Sequence, residues 1–267
     1  MAGKALATVE RYSAVLGEWN RLADLTDARA DHVEVQLDDG SVLVAGGFGA
    51  TGQVLSTVEI YHAASGWTAT RSMAEARANM TATVLGDGRV LVTGGHGSTG
   101  KSLATAEIFD PATQRWSGAG SMLHDLRLHS AVLLQDGRVL ITGGYDSDGL
   151  AVNELEVFDP ATGAFASLGI GPGRYRMAAV VLKDGRVLLI GGTDVDGRPL
   201  RSVDIFDPAG IRVTVPRVDT VYTVPVADML TARTRVTAVL MPDRTVMVVG
   251  GDGGGTRSLA EVELYTP

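Results

Sequence analysis

Thr81-Ala82-Thr83-Val84-Leu85-Gly86-Asp87-Gly88-Arg89-Val90-Leu91-Val92-Thr93-Gly94-Gly95 is the stretch on which the fold turns. It joins an apolar run, an Asp-Gly turn, a second apolar run and a paired glycine. Asp-Gly accepts the positive φ angles of a two-residue hairpin, so the stretch predicts strand, turn, strand. The second run is apolar at successive positions, the mark of a strand buried on both faces. Paired glycine suits a place where a neighbouring backbone comes close or φ turns positive.

The same pattern recurs along the chain. Glycine pairs stand at Gly46-Gly47, Gly94-Gly95, Gly143-Gly144, Gly191-Gly192 and Gly250-Gly251, at intervals of 48, 49, 48 and 59 residues. Asp-Gly turns precede four of them, at Asp39-Gly40, Asp87-Gly88, Asp136-Gly137 and Asp184-Gly185, whereas the fifth copy has Pro242-Asp243-Arg244. Each unit opens on an arginine, Arg29, Arg77, Arg127, Arg174 or Arg233. After the glycines comes a third strand with an acid two residues before a ring: Glu59/Tyr61, Glu107/Phe109, Glu156/Phe158, Asp204/Phe206 and Glu263/Tyr265. A fourth strand begins at Trp67, Trp116 or Phe165. A period near fifty residues means an array of one supersecondary unit, here four antiparallel strands. The units are 26–73, 74–122, 123–170, 171–229 and 230–267, within a single domain spanning 1–267.

The glycine pair with a spaced Tyr or Phe and then Trp resembles the kelch repeat, and the resemblance covers nearly the whole chain. It implies an all-β, kelch-type β-propeller of about five four-stranded blades around a channel. The ends leave the closure open. Residues 1–25 form a partial unit: Gly3–Tyr12 matches a third strand and Trp19 opens a fourth, while the C-terminus stops after the third strand Ala260–Tyr265. Either N-terminal strands complete the fifth blade with one strand left over, or the ring is incomplete; five blades is the preferred reading. About eleven extra residues fall between Phe206 and Arg233, where Val213–Arg217 and Val221–Val224 predict an extended hairpin with Tyr222 in the role of the missing Trp.

Bulk properties narrow the classes. With 267 residues and 45% hydrophobic content the chain can bury a sizeable core. A net charge of −8 argues against a general nucleic-acid-binding surface. Cysteine is absent, which removes disulfides, thiolate metal sites and cysteine nucleophiles. Met1–Ala7 lacks the apolar stretch of a signal peptide, and no run approaches a membrane span. The compartment stays open, although propellers with similar repeats are often exported.

What every unit shares is most economically structural, and what varies at equivalent exposed positions is a candidate for function. The repeated acids and arginines are therefore expected to clamp each other, since a buried charge needs a partner. Connections from second to third strand and from fourth to first strand emerge on one side, and there the units differ. Phe48, His96, Tyr145, Thr193 and Asp252 follow the glycine pairs, while Asp31, Asn79, Arg176 and Arg235 sit two residues after the repeated arginine, with His129 near the same level. Phe48, His96, Tyr145, Asp252, Asp31, Asn79, Arg176 and Arg235 are the candidate ligand-binding residues of a channel mouth.

Other motifs weigh less. His32 and His129 stand where sister units have Met80, Met177 and Val236, so they read as packing residues, and no histidine pair has metal-ligand spacing. Asp146-Ser147-Asp148-Gly149 and Asp194-Val195-Asp196-Gly197 start like calcium loops but read as Asx turns. Gly95–Ser102 has phosphate-loop spacing, yet Leu103–Phe109 should be strand rather than helix. No residue pattern implies a catalytic group, a metal or a cofactor.

The expected function is a non-catalytic interaction module presenting loops to a protein, peptide or glycan. Kelch-like propellers also include copper-radical galactose oxidases, excluded here by the missing cysteine, and sialic-acid mutarotases, which keep a small-sugar-modifying enzyme as the alternative. A scaffold domain or fragment of a larger propeller protein is the third reading.

Overall fold

The computed structural model describes residues 4–208, 223–254 and 258–266. All regular structure among them is β, organised in small antiparallel sheets. The chain divides into two compact units, residues 1–119 and 120–267.

The N-terminal unit holds the first sheet, Val33–Gln36, Val42–Ala45, Val58–His62 and Gly66–Ala69 in that spatial order. The second sheet runs Thr81–Val84, Val90–Thr93, Leu103–Asp110 and Arg115–Leu126, the last strand continuing into the C-terminal unit. That unit holds the third sheet, Ser130–Leu133, Val139–Thr142, Glu154–Asp159 and Ala164–Ile170, and the fourth, Ala178–Val181, Val187–Ile190, Val203–Phe206 and Thr223–Pro225. The fifth has three strands among the described residues, Thr237–Leu240, Val246–Val249 and Val262–Tyr265. Each sheet is a meander, the blade of a five-bladed β-propeller. The partial unit at the start forms its own two-stranded sheet, Glu10–Ser13 with Glu18–Arg21, in which Tyr12 faces Trp19. The hairpin expected at 213–224, and Tyr222 with it, lies outside the described residues, apart from the short strand at Thr223.

The second strand of each of the first four blades is almost wholly buried, as its unbroken apolar run requires. Alternate side chains go to opposite faces, and one face packs on the next blade: Leu43, Ala45, Val58 and Ile60 meet Met73, Met80, Val90 and Val92. The third and fourth strands are held together by ring pairs, Tyr61–Trp67 at 5.2 Å, Phe109–Trp116 at 5.0 Å and Phe158–Phe165 at 4.8 Å between centroids.

The turns differ from the expected two-residue hairpin. Leu37 N–H donates to Ser41 O and Gly40 N–H to Leu37 O, and only Gly40 has positive φ. This is a three-residue loop, a type I turn followed by a left-handed glycine. It recurs at Gly88, Gly137 and Gly185, and in the fifth blade Arg244 takes that position at φ 76°.

The glycine pairs have a specific cause. A Cβ on Gly143 would lie 2.2 Å from Arg174 O, and one on Gly191 would lie 2.6 Å from Arg233 O. The second glycine then donates its N–H to the same carbonyl, Gly144 to Arg174 O at 3.0 Å and Gly192 to Arg233 O at 2.9 Å. Successive blades thus touch backbone to backbone, which no side chain permits.

Candidate functional site

The clamp behind the rim comes first, because it places the residues in front of it. Arg29 Nη1 donates to Gly46 O (2.7 Å) and Thr57 O (3.2 Å), and its Nη2 meets Glu59 at 3.0 Å. Arg77 repeats this with Gly94 O, Thr105 O and Glu107, Arg174 with Gly191 O, Ser202 O and Asp204, and Arg233 with Gly250 O, Glu261 O and Glu263. The carboxylates also accept backbone N–H groups, for example Glu59 from Thr26 at 2.8 Å. Burial opposes the charge of Glu59, but the Thr26 amide and the Arg29 guanidinium outweigh it and hold its pKa below the ordinary value.

The third blade departs from this, and it corrects the expectation for Arg127. Leu126, not Arg127, occupies the clamp position, since Arg127 pairs with Tyr145 as Ala30 pairs with Phe48 and Tyr175 with Thr193. Strand side chains alternate, so one step along the chain moves the arginine to the other face. Leu126 is fully buried and has no donor for Gly143 O or Glu154 O. Glu156 keeps the two amides, Leu123 N–H at 2.8 Å and His124 N–H at 3.1 Å, without a guanidinium. Burial then prevails and raises its pKa. His124 and Glu154, in contact at 2.5 Å, form a different pair beside it.

Two residues after each clamp position the backbone turns left-handed: Asp31 at φ 52°, Asn79 at 54°, Leu128 at 58°, Arg176 at 56° and Arg235 at 52°. Each feeds a blade-to-blade hydrogen bond, Asn79 N–H to Asp31 O (2.9 Å), Arg176 N–H to Leu128 O (2.9 Å) and Arg235 N–H to Arg176 O (3.0 Å). The backbone, not the side chain, is what these positions share. Asn and Asp tolerate this region best, whereas Leu and Arg pay more strain for it.

In the N-terminal unit the structure brings Phe48 and His96 together, rings 5.4 Å apart, while Asp31 and Asn79 are joined through their backbones. In the C-terminal unit Tyr145 and Tyr175 stack at 5.0 Å. Arg127 lies 5.2 Å over the Tyr145 ring and Arg176 5.7 Å from that of Tyr175. Arg235 continues the line through its backbone bond to Arg176 and reaches Asp252 at 3.5 Å. Tyr175 and Arg127 were not singled out as rim residues from sequence, although their place one step after the clamp position, opposite the residue that follows the glycine pair, marks them. Thr193 is buried and shares a 2.6 Å hydrogen bond with Thr234.

His129, the two Asp-rich turns and the Gly95–Ser102 stretch take the expected forms. His129 is buried, and burial lowers its pKa to about 3, so it packs as a neutral ring. Asp146 Oδ1 accepts from the Asp148 and Leu150 amides and Asp194 Oδ1 from those of Asp196 and Arg198, as Asx turns. Leu103–Asp110 is strand, so Gly95–Ser102 has no helix to open. Among the described residues, no three His, Asp or Glu side chains are placed to share a metal ion.

Comparison with known proteins agrees with this architecture. The kelch motif matches residues 77–123, 126–169 and 174–210. An F-box/kelch-repeat protein of Arabidopsis thaliana is 44% identical over 57 residues, 21% of this chain and only 15% of the plant protein's length. The solved structure of YjhT superposes with a TM-score of 0.77 at 14% identity, covering 99% of this chain and 95% of that one, a likeness of fold alone. Repeated glycine pairs, meander blades and the motif matches converge on one conclusion: the chain belongs to the kelch-repeat β-propellers.

Proposed function

We propose that this protein is a binding module whose C-terminal unit captures an anionic group on a peptide, protein or glycan. The observation that carries the reading is the stacked Tyr145–Tyr175 pair flanked by Arg127 and Arg176, with Arg235 bonded next in line. Guanidinium groups on aromatic rings present fork-shaped donors that suit carboxylate or phosphate, while the rings offer flat apolar area to the rest of a ligand. Three arginines gather on this rim, one of them meeting Asp252, in a chain whose net charge is −8. Arginine at two left-handed positions is a costly choice of residue, and such strain supports a role beyond packing.

The test is a binding screen of acidic and neutral peptides and glycans against the purified chain, read by surface plasmon resonance at several salt concentrations. Acidic ligands are expected to bind, more weakly as salt rises. For such a ligand Arg176→Ala and Tyr145→Ala each cost about 10-fold or more in affinity, about 1.4 kcal/mol, and Arg235→Ala costs less because Asp252 already engages it. Equal binding of neutral ligands, or unchanged affinity in Arg176→Ala, overturns the reading. Turnover of a bound small sugar would favour the enzymatic alternative instead.

A further inference from the structure

A cleft of about 440 Å³ lies where the link out of the first blade passes the edge strand of the second, and its lining comes wholly from residues 71–118 of the N-terminal unit. Trp116 fastens the two sides: its indole N–H donates to Arg71 O at 2.8 Å, as that of Trp67 does to Ala23 O at 3.1 Å one blade earlier. The repeat therefore gives sister positions for comparison. Arg71 and Arg115 correspond to Ala23 and Gly66 in the first blade and to Gly120 and Ala164 in the third. Of these three copies, the second alone sets two cations beside the ring. Both side chains are exposed, and among the described residues neither enters an ion pair. Other surface arginines of this chain hold a nearby acid, Arg89 with Asp87 at 2.7 Å, Arg138 with Asp136 at 2.6 Å and Arg186 with Asp184 at 2.7 Å. The acids nearest to Arg71 and Arg115 in sequence are turned elsewhere, Glu75 to Arg77 and Thr105, and Asp110 to Thr113. Glu107, on the cleft wall, is offset by Arg77 at 2.9 Å.

We propose that this cleft binds an organic phosphate monoester. Two guanidinium groups match a dianion in charge and offer it paired N–H donors. Ser72 and Ser117 add hydroxyl donors to the same lining. The indole, its N–H already given to Arg71 O, supplies an apolar wall for the organic body. That bond, with Thr70 Oγ1 to Gln114 at 3.3 Å, ties the link to the second blade, so the walls stand before a ligand arrives. The cleft shares no residue with the C-terminal rim and does not rest on the reading of that rim.

Nitrogen-15 NMR of the full chain tests this, because its three tryptophans each give an indole N–H signal and only that of Trp116 lies in the cleft. Phenyl phosphate is expected to move the Trp116 signal in a saturable way, at lower concentration than inorganic phosphate and less readily as salt rises, while neutral benzyl alcohol leaves it still. Arg71→Ala and Arg115→Ala are each expected to raise the midpoint of that shift about tenfold, and Arg89→Ala to leave it unchanged. A Trp116 signal that stays still overturns the proposal, whether or not the C-terminal rim takes the same probe. So does an equal response to benzyl alcohol or inorganic phosphate, or a midpoint unmoved in both arginine variants. Should a variant misfold, the three probes on the unmodified chain decide the matter alone.

Discussion

The first and third blades have the same four-strand meander and the same buried glutamate, yet they satisfy that glutamate differently. Glu59 has a guanidinium and two amides, Glu156 two amides alone, and their pKa values move in opposite directions. The Arg29 guanidinium also ties Gly46 O to Thr57 O, a junction that Leu126 cannot make. The amide pair is thus enough to seat the acid, and the arginine adds compensation of charge and a fastening of the strand end. A buried ion pair need not be more stable than an apolar replacement, but removing one partner alone is costly.

The largest expected effect comes from making the first blade like the third. Arg29→Leu strands Glu59 and two carbonyls, with an expected loss of about 3–5 kcal/mol, read from urea unfolding at neutral pH. A loss below about 1 kcal/mol would show that the amides carry the whole clamp.

The reverse change, Leu126→Arg, gives Glu156 the missing cation. About 1 kcal/mol of added stability is expected at a pH above the raised Glu156 pKa, fading as Glu156 protonates. A lower urea midpoint at that pH would mean that the third blade has repacked around leucine and no longer accepts the clamp.

Direct titration separates the two carboxyls. By carbon-13 NMR, Glu156 is expected to titrate above the ordinary glutamate value and Glu59 below it. The folded state then holds the Glu156 proton more tightly than the unfolded chain does. Its contribution to stability therefore falls as pH rises from the ordinary carboxylate range through the raised value, then levels off. Glu59 works the other way, giving stability that is present above its unfolded pKa and lost on acidification through the lowered one. Matching titrations for the two residues would erase the distinction between the blades.

The smallest effect belongs to the fifth blade, where Arg244 takes the left-handed turn position that glycine fills in the other four. Arg244→Gly relieves that strain but frees the unfolded chain, leaving an expected gain of about 0.5 kcal/mol in thermal unfolding. A loss would show that the Arg244 side chain holds the turn by contacts of its own.

The blades were legible because each strand-turn-strand stretch carries its own punctuation, as in Leu85–Gly95, and the period repeats it in register. Turn length was not, because Asp-Gly fits both two- and three-residue loops, and the choice depends on how the strands twist. Arg127 misled for a related reason: an arginine lay one residue from the clamp position, and a one-residue slip in a strand exchanges its faces. Counting back three from His129, the equivalent of His32, would have landed on Leu126. Candidate rim residues were visible as variation between units, but their partnerships were not. Tyr145 meets Tyr175 across a blade junction, a contact between residues thirty positions apart that no local pattern encodes.

The line of left-handed residues has one more consequence. Main-chain bonds hold Arg176 and Arg235 in that conformation, and those bonds do not depend on which side chain each residue carries. Such positions act as sockets. Chemistry can be exchanged there with little disturbance to the blades behind, and asparagine, most at ease in that conformation, is the natural blank. A set of variants carrying asparagine at one socket after another would turn the rim of the C-terminal unit into a readable alphabet, in which each lost affinity names the letter the ligand was using.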